Sequence, residues 1–110
     1  QPLTVVEGYV EPPLIVESGL STTYREAMDV SADAYARLSA ISPRLAEYTV
    51  THAHLRRVVT RMNLRECYHF FKLRAQPEAH FTIRDAALQA MDLVKDVHPL
   101  LLKFINLRQG

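Results

Sequence analysis

Residues 62–84 read MNLRECYHFFKLRAQPEAHFTIR, and the fold turns on how that stretch is parsed. Asn63 is a strong helix N-cap type. After it, Leu64, Cys67, Tyr68 and Phe71 fall at i, i+3, i+4 and i+7, the spacing of a buried helical stripe. The spacing predicts a helix over 64–74, with Arg65, His69 and Lys72 on another face. Gln76-Pro77 interrupts it, and Pro77 suits the first position of a following helix. That helix carries Ile83, Ala87, Ala90, Met91, Val94 and Leu101 toward a core, until Pro99 kinks or ends it. The result is a helix–turn–helix frame bearing Asn63, Arg65, His69, Arg74, His80 and Arg84.

Upstream of the frame the pattern changes. Val50, Leu55, Val58 and Val59 stand among Thr and Arg without helical spacing, which predicts a strand over 54–62. Ser42-Pro43 opens a short helix over 43–48. A longer helix starts near Ser21 or Thr22, capped by Thr22 or Thr23, with Tyr24, Met28, Ala32, Tyr35 and Leu38 facing inward. Residues 1–17 hold three of the six prolines and read as an extended arm or edge strand. The expected fold is therefore α+β and predominantly helical, with long helices packed on a small sheet. The expected organisation is a single domain over 1–110, with an arm over 1–17 and a helical core over 20–110.

Charge is concentrated where the frame lies. Residues 56–84 hold seven Lys/Arg against Glu66 and Glu78, whereas the whole chain carries a net charge of +1. A local excess of that size calls for an anionic partner, most simply a phosphate. The near-neutral total and the absence of Trp argue against nucleic acid. No apolar run reaches the ~18 residues of a membrane span. The one cysteine, Cys67, excludes an internal disulfide and fits a reducing compartment. It lies in an apolar stripe and reads as a core thiol rather than a nucleophile. His52 and His54 share a strand face, but no Cys or carboxylate cluster accompanies them, so no metal is assigned.

The pattern N-x-R-x-x-x-H-F-x-x-L-R, then A-H-x-x-I-R, resembles the C-terminal signature of the flavin-dependent thymidylate synthases. Asn63, Arg65, His69, Phe70, Leu73, Arg74, Ala79, His80, Ile83 and Arg84 carry the likeness, which spreads weakly over 20–106. The RHRxxS-type motif of that family is absent, and the chain begins with Gln1 rather than Met. It is read here as the C-terminal portion of a longer chain, or a divergent paralogous domain of the family. The resemblance implies a parent that converts dUMP to dTMP, with methylenetetrahydrofolate and NADPH as co-substrates and FAD as cofactor. It implies Asn63, Leu64, Arg65 and His69 at the flavin, and Arg74 at the uracil ring as the catalytic and substrate-binding residue. His80 and Arg84 read as structural, paired with acids on a neighbouring helix. The isolated chain is expected to be inactive and to hold FAD weakly or not at all. The resemblance further implies a homo-oligomer, a tetramer in that family, and the expected setting is the cytoplasm, with no nucleic-acid or membrane partner.

One departure stands out. The family has a Glu and, three residues later, an Arg that helps hold the nucleotide phosphate. Here those positions are Arg44 and Glu47, so the charges are reversed, and a carboxylate at 47 repels phosphate. Either the pair survives as a structural salt bridge or the nucleotide site is lost. The alternative reading is a non-catalytic paralogous domain, serving oligomer assembly or binding a nucleotide-like ligand.

Overall fold

A computed structural model describes residues 2–106. The chain forms two compact units that meet in sequence between Val59 and Thr60. The first holds α1 (Pro13–Glu17), α2 (Ser21–Ser39), α3 (Pro43–Ala46) and a 3-10 turn (Glu47–Thr49). The second holds α4 (Leu64–Arg74) and α5 (Phe81–Val97).

The helical expectation holds and the sheet does not. Among the described residues no strand forms, and the only β pairing is an isolated antiparallel bridge, Tyr9 to His54. Residues 55–63 have no helical or ladder assignment. Side-chain alternation selects an extended backbone, but a strand also needs a hydrogen-bonded neighbour. Val58 and Val59 are instead 70% and 92% exposed.

In the first unit, α2 buries Met28 and Ser31, with Tyr24, Ala32, Tyr35 and Leu38 half-buried. Neither Thr22 nor Thr23 caps it. The N-cap is Leu20, which makes no side-chain bond. The arm over 1–17 is not wholly extended, because Pro13 starts α1. A proline at N1 lacks only an N–H that the first turn would leave unbonded anyway. Gly19, at φ +72, then turns the chain into α2. The short helix over 43–48 is observed as α3 plus the 3-10 turn.

In the second unit, α4 has the expected bounds. Asn63 caps it, its side-chain oxygen accepting the Glu66 N–H at 2.9 Å. Cys67 and Phe71 are buried on α4 and join Met91 and Leu102 in the core of this unit. Tyr68 packs at its margin and donates to the Leu101 carbonyl. Leu64 is 42% exposed, contrary to the expected stripe, since the first residue of a helix overhangs its packed face. α5 begins at Phe81 rather than at Pro77, because the His80 imidazole caps it through the Thr82 N–H and hydroxyl. Ala87 and Met91 are buried there. After α5 ends at Val97 the helical phase is lost, so Leu102 reaches the core while Leu101 stays exposed. The expected helical core to residue 110 is described to residue 106.

Candidate functional site

α4 fixes the geometry of most candidate residues. Its N-terminus is held by two bonds to Asn63: Oδ1 accepts from Glu66 N–H, and the carbonyl accepts from Cys67 N–H at 3.0 Å. The N–H groups of Leu64 and Arg65 donate to no protein partner among the described residues and lie at the positive end of the helix dipole. Arg65 and His69 are one turn apart, exposed, and share a face. This edge can offer two amides, a guanidinium and an imidazole to phosphate or carbonyl oxygens.

Arg74 does not join them. It is the last residue of α4, nine positions after Arg65. At 100° and 1.5 Å per residue it lies half a turn round and about 13.5 Å along the axis. The helix thus presents two separate cationic edges, Arg65/His69 and Arg74. Arg65, His69 and Arg74 have no hydrogen-bond or ion-pair partner among the described residues, so each side chain is available to a ligand. Leu73, next to Arg74, is 52% exposed.

His80 is structural, as the cap of α5. Arg84 is half-buried but pairs with no acid among the described residues, and its Nε lacks a hydrogen bond. The partner acid expected for it is therefore not found.

The reversed Arg44/Glu47 pair does not form an ion pair among the described residues. Glu47 Oε1 instead accepts the Leu3 N–H at 2.7 Å, and the Tyr35 hydroxyl donates to the Leu3 carbonyl at 3.4 Å. A cavity of about 380 Å³ is lined by Leu3, Arg44, Glu47 and Tyr48. The carboxylate at 47 thus anchors the N-terminal arm, a role that no local sequence signal marked because the partner is 44 residues away.

His54 is buried, and His52 is exposed. Nδ1 of His54 accepts the Thr51 N–H at 3.0 Å and contacts the Thr51 hydroxyl at 2.9 Å. That bond makes Nδ1 the unprotonated nitrogen. Among the described residues no group of three or more His, Cys, Asp or Glu is arranged to hold a metal ion, and no helix is long and apolar enough to cross a membrane.

A family described as "Thymidylate synthase complementing protein" matches residues 2–100. A flavin-dependent thymidylate synthase of Geobacter sulfurreducens is 31% identical over 99 residues, spanning 83% of this chain and 43% of that protein. One of Saccharolobus solfataricus is 37% identical over 82 residues, spanning 74% and 30%. A UPF0159 protein of Thermoplasma acidophilum is 37% identical over 111 residues, spanning 96% of this chain and 22% of that protein. The chain thus spans about a fifth to two fifths of the length of these curated relatives. No solved structure matches.

Proposed function

This chain belongs to the thymidylate synthase complementing protein family, and from that premise we propose that it is one module of a flavin-dependent thymidylate synthase-like protein. In this reading the parent methylates dUMP to dTMP, using methylenetetrahydrofolate as carbon donor, reduced FAD as hydride source and NADPH as reductant. The observation that carries the reading is the family match over residues 2–100. The geometry of α4 supports it.

Asn63 holds the helix mouth in shape, and Leu64, Arg65 and His69 supply donors to the flavin. These donor types suit the phosphate and carbonyl oxygens of a flavin nucleotide, but they cover one side of it only. The rest of the enclosure comes from parts of the protein beyond this module or from other subunits of a tetramer. The module alone therefore holds FAD weakly or not at all. Reduced FAD, when bound, supplies the hydride. Arg74, on the other edge, faces the pyrimidine. Its guanidinium stays protonated throughout and stabilises negative charge developing on the ring. The compartment in this reading is the cytoplasm.

A second reading is favoured by one observation. Glu47 stands where the resembled family has a phosphate-holding Arg, and its carboxylate is bonded to the Leu3 N–H. A non-catalytic module, serving oligomer assembly or a nucleotide-like ligand, fits that exchange. One experiment separates the two. In a family-length protein carrying this module, Arg74→Ala should abolish dUMP-dependent turnover and leave the melting temperature unchanged. Full activity in that variant would remove Arg74 from catalysis and leave the second reading.

A further inference from the structure

The extended run after the Tyr9–His54 bridge has a matching segment in its own chain. Two bonds flank the bridge, Leu55 N–H to Gly8 O and Val10 N–H to Ala53 O, both 2.9 Å. Tyr9 and His54 are therefore a non-hydrogen-bonded antiparallel pair, and their rings meet edge-on at 6.3 Å. Continuing this register sets Glu7 opposite Arg56, Val6 opposite Arg57, Val5 opposite Val58, and Thr4 opposite Val59. Opposite charges and β-branched pairs of this kind stabilise antiparallel ladders.

The ladder stops at one residue. A continued ladder would have Gly8 N–H donate to the Leu55 carbonyl. Instead Gly8, at φ +84, donates to Val5 O at 3.3 Å, and residues 5–7 form a turn. Val6 is left 81% exposed, alongside the exposed Val58 and Val59. A cavity of about 400 Å³ is lined from both segments, by Pro2, Thr4, Glu7, Arg56 and Arg57. Glu7 and Arg57 form an ion pair at 3.2 Å, one position out of the ladder register.

We propose that Thr4–Glu7 is a strap that closes onto Arg56–Val59, extending the Tyr9–His54 bridge into an antiparallel ladder. Gly8 is the hinge. It moves from the left-handed region to an extended conformation without a Cβ penalty. Closure adds the hydrogen-bonded pairs Val6–Arg57 and Thr4–Val59, and covers an edge that would otherwise recruit strands from other chains. The long Gly8–Val5 bond, the 3.2 Å bond from Val6 N–H to Thr4 Oγ1, and the Glu47 and Tyr35 bonds that anchor Leu3 next to the strap oppose it. The exposed Glu7–Arg57 pair adds little on either side.

The register is testable by cross-linking. Val5→Cys with Val58→Cys joins a non-hydrogen-bonded pair, whose Cβ atoms approach to about 4.5–5.5 Å, close to disulfide range. Val5→Cys with Val59→Cys is one residue out of register. Both are made in the 110-residue chain carrying Cys67→Ala. Under oxidised glutathione, the first pair should close an intramolecular disulfide at least tenfold faster than the second. Equal rates would overturn the proposal, and so would a cross-link found only between chains, which would assign the edge to a second copy. Amide exchange in the unsubstituted chain gives an independent reading. Closure protects the Arg57 and Val59 amides about tenfold over those of Arg56 and Val58. Uniform exchange across the four residues would also overturn it.

Discussion

Phe71→Ala tests the packing of the second unit most directly. Phe71 is 0% exposed, and its ring centroid lies 5.8 Å from that of Phe70. The residues clustered with it are Cys67, Met91 and Leu102, with Met62, Tyr68, Phe70, Leu88, Ala90, Val94 and Ile105 at the margin. All belong to the unit that begins at Thr60. Truncating a fully buried Phe costs about 3–5 kcal/mol, as lost transfer energy plus a cavity. At about 0.05–0.15 kcal/mol per residue, a unit of roughly 50 residues has only about 2.5–7.5 kcal/mol in hand. The substitution should therefore remove about two fifths of that stability at the upper end of the range and all of it at the lower end. α4 and α5 contain half of the α-helical residues among those described. In urea, that half of the helical circular-dichroism signal at 222 nm should be lost at lower denaturant than in the unsubstituted chain. A variant that keeps its full helical signal and loses less than about 1 kcal/mol, the ordinary cost of a single substitution, would refute the burial on which the argument rests.

Leu73→Ala, half-exposed, should cost about 1 kcal/mol or less by denaturant titration, against the several expected of a buried leucine. Asn63→Ala should lose about 0.5–2 kcal/mol of stability through the Glu66 cap, and Asn63→Asp should recover most of it. The isolated chain should elute from gel filtration without flavin after incubation with FAD, and co-eluting stoichiometric FAD would contradict a site completed from outside the module. Tyr24 bears on alkaline stability. Partial burial, with Glu11 and Tyr9 nearby, raises its phenol above the ordinary value, and the hydroxyl donates to the Val10 carbonyl at 2.7 Å. A folded value above the unfolded one, about 10, favours the folded state at lower pH, and that contribution is lost as pH rises through the folded value. Melting temperature should drop from pH 9 to 11, and less so in Tyr24→Phe.

Where sequence and structure agree, the signal was local. The Asn63 cap and the Cys67/Phe71 spacing give α4 its bounds, because capping and helical period act within a few residues. Ser42-Pro43 marks α3 for the same reason. The disagreements have non-local causes. Val58 and Val59 prefer an extended backbone, but whether that backbone enters a ladder depends on Gly8, some fifty positions earlier. Leu101 and Leu102 exchanged roles because helical phase cannot be carried past Pro99. His80 displaced Pro77 as the start of α5 because an imidazole cap outcompeted a proline signal. The candidate site was partly legible. The Arg65/His69 edge follows from an i, i+4 spacing, whereas the separation of Arg74 follows from counting nine residues along the same helix. The use of Glu47 as an arm anchor had no sequence signature at all.

The buried position of Cys67 makes the second unit a reporter on itself. The chain has one thiol, and it is buried against Phe71 and Met91. A thiol reagent can reach it only when that packing opens. If reclosing is faster than labelling, the observed rate divided by that of an unfolded cysteine is the opening equilibrium constant, each tenfold slowing corresponding to about 1.4 kcal/mol. Labelling kinetics would thus meter the local breathing of α4 and α5 under native conditions, with no denaturant and no added probe.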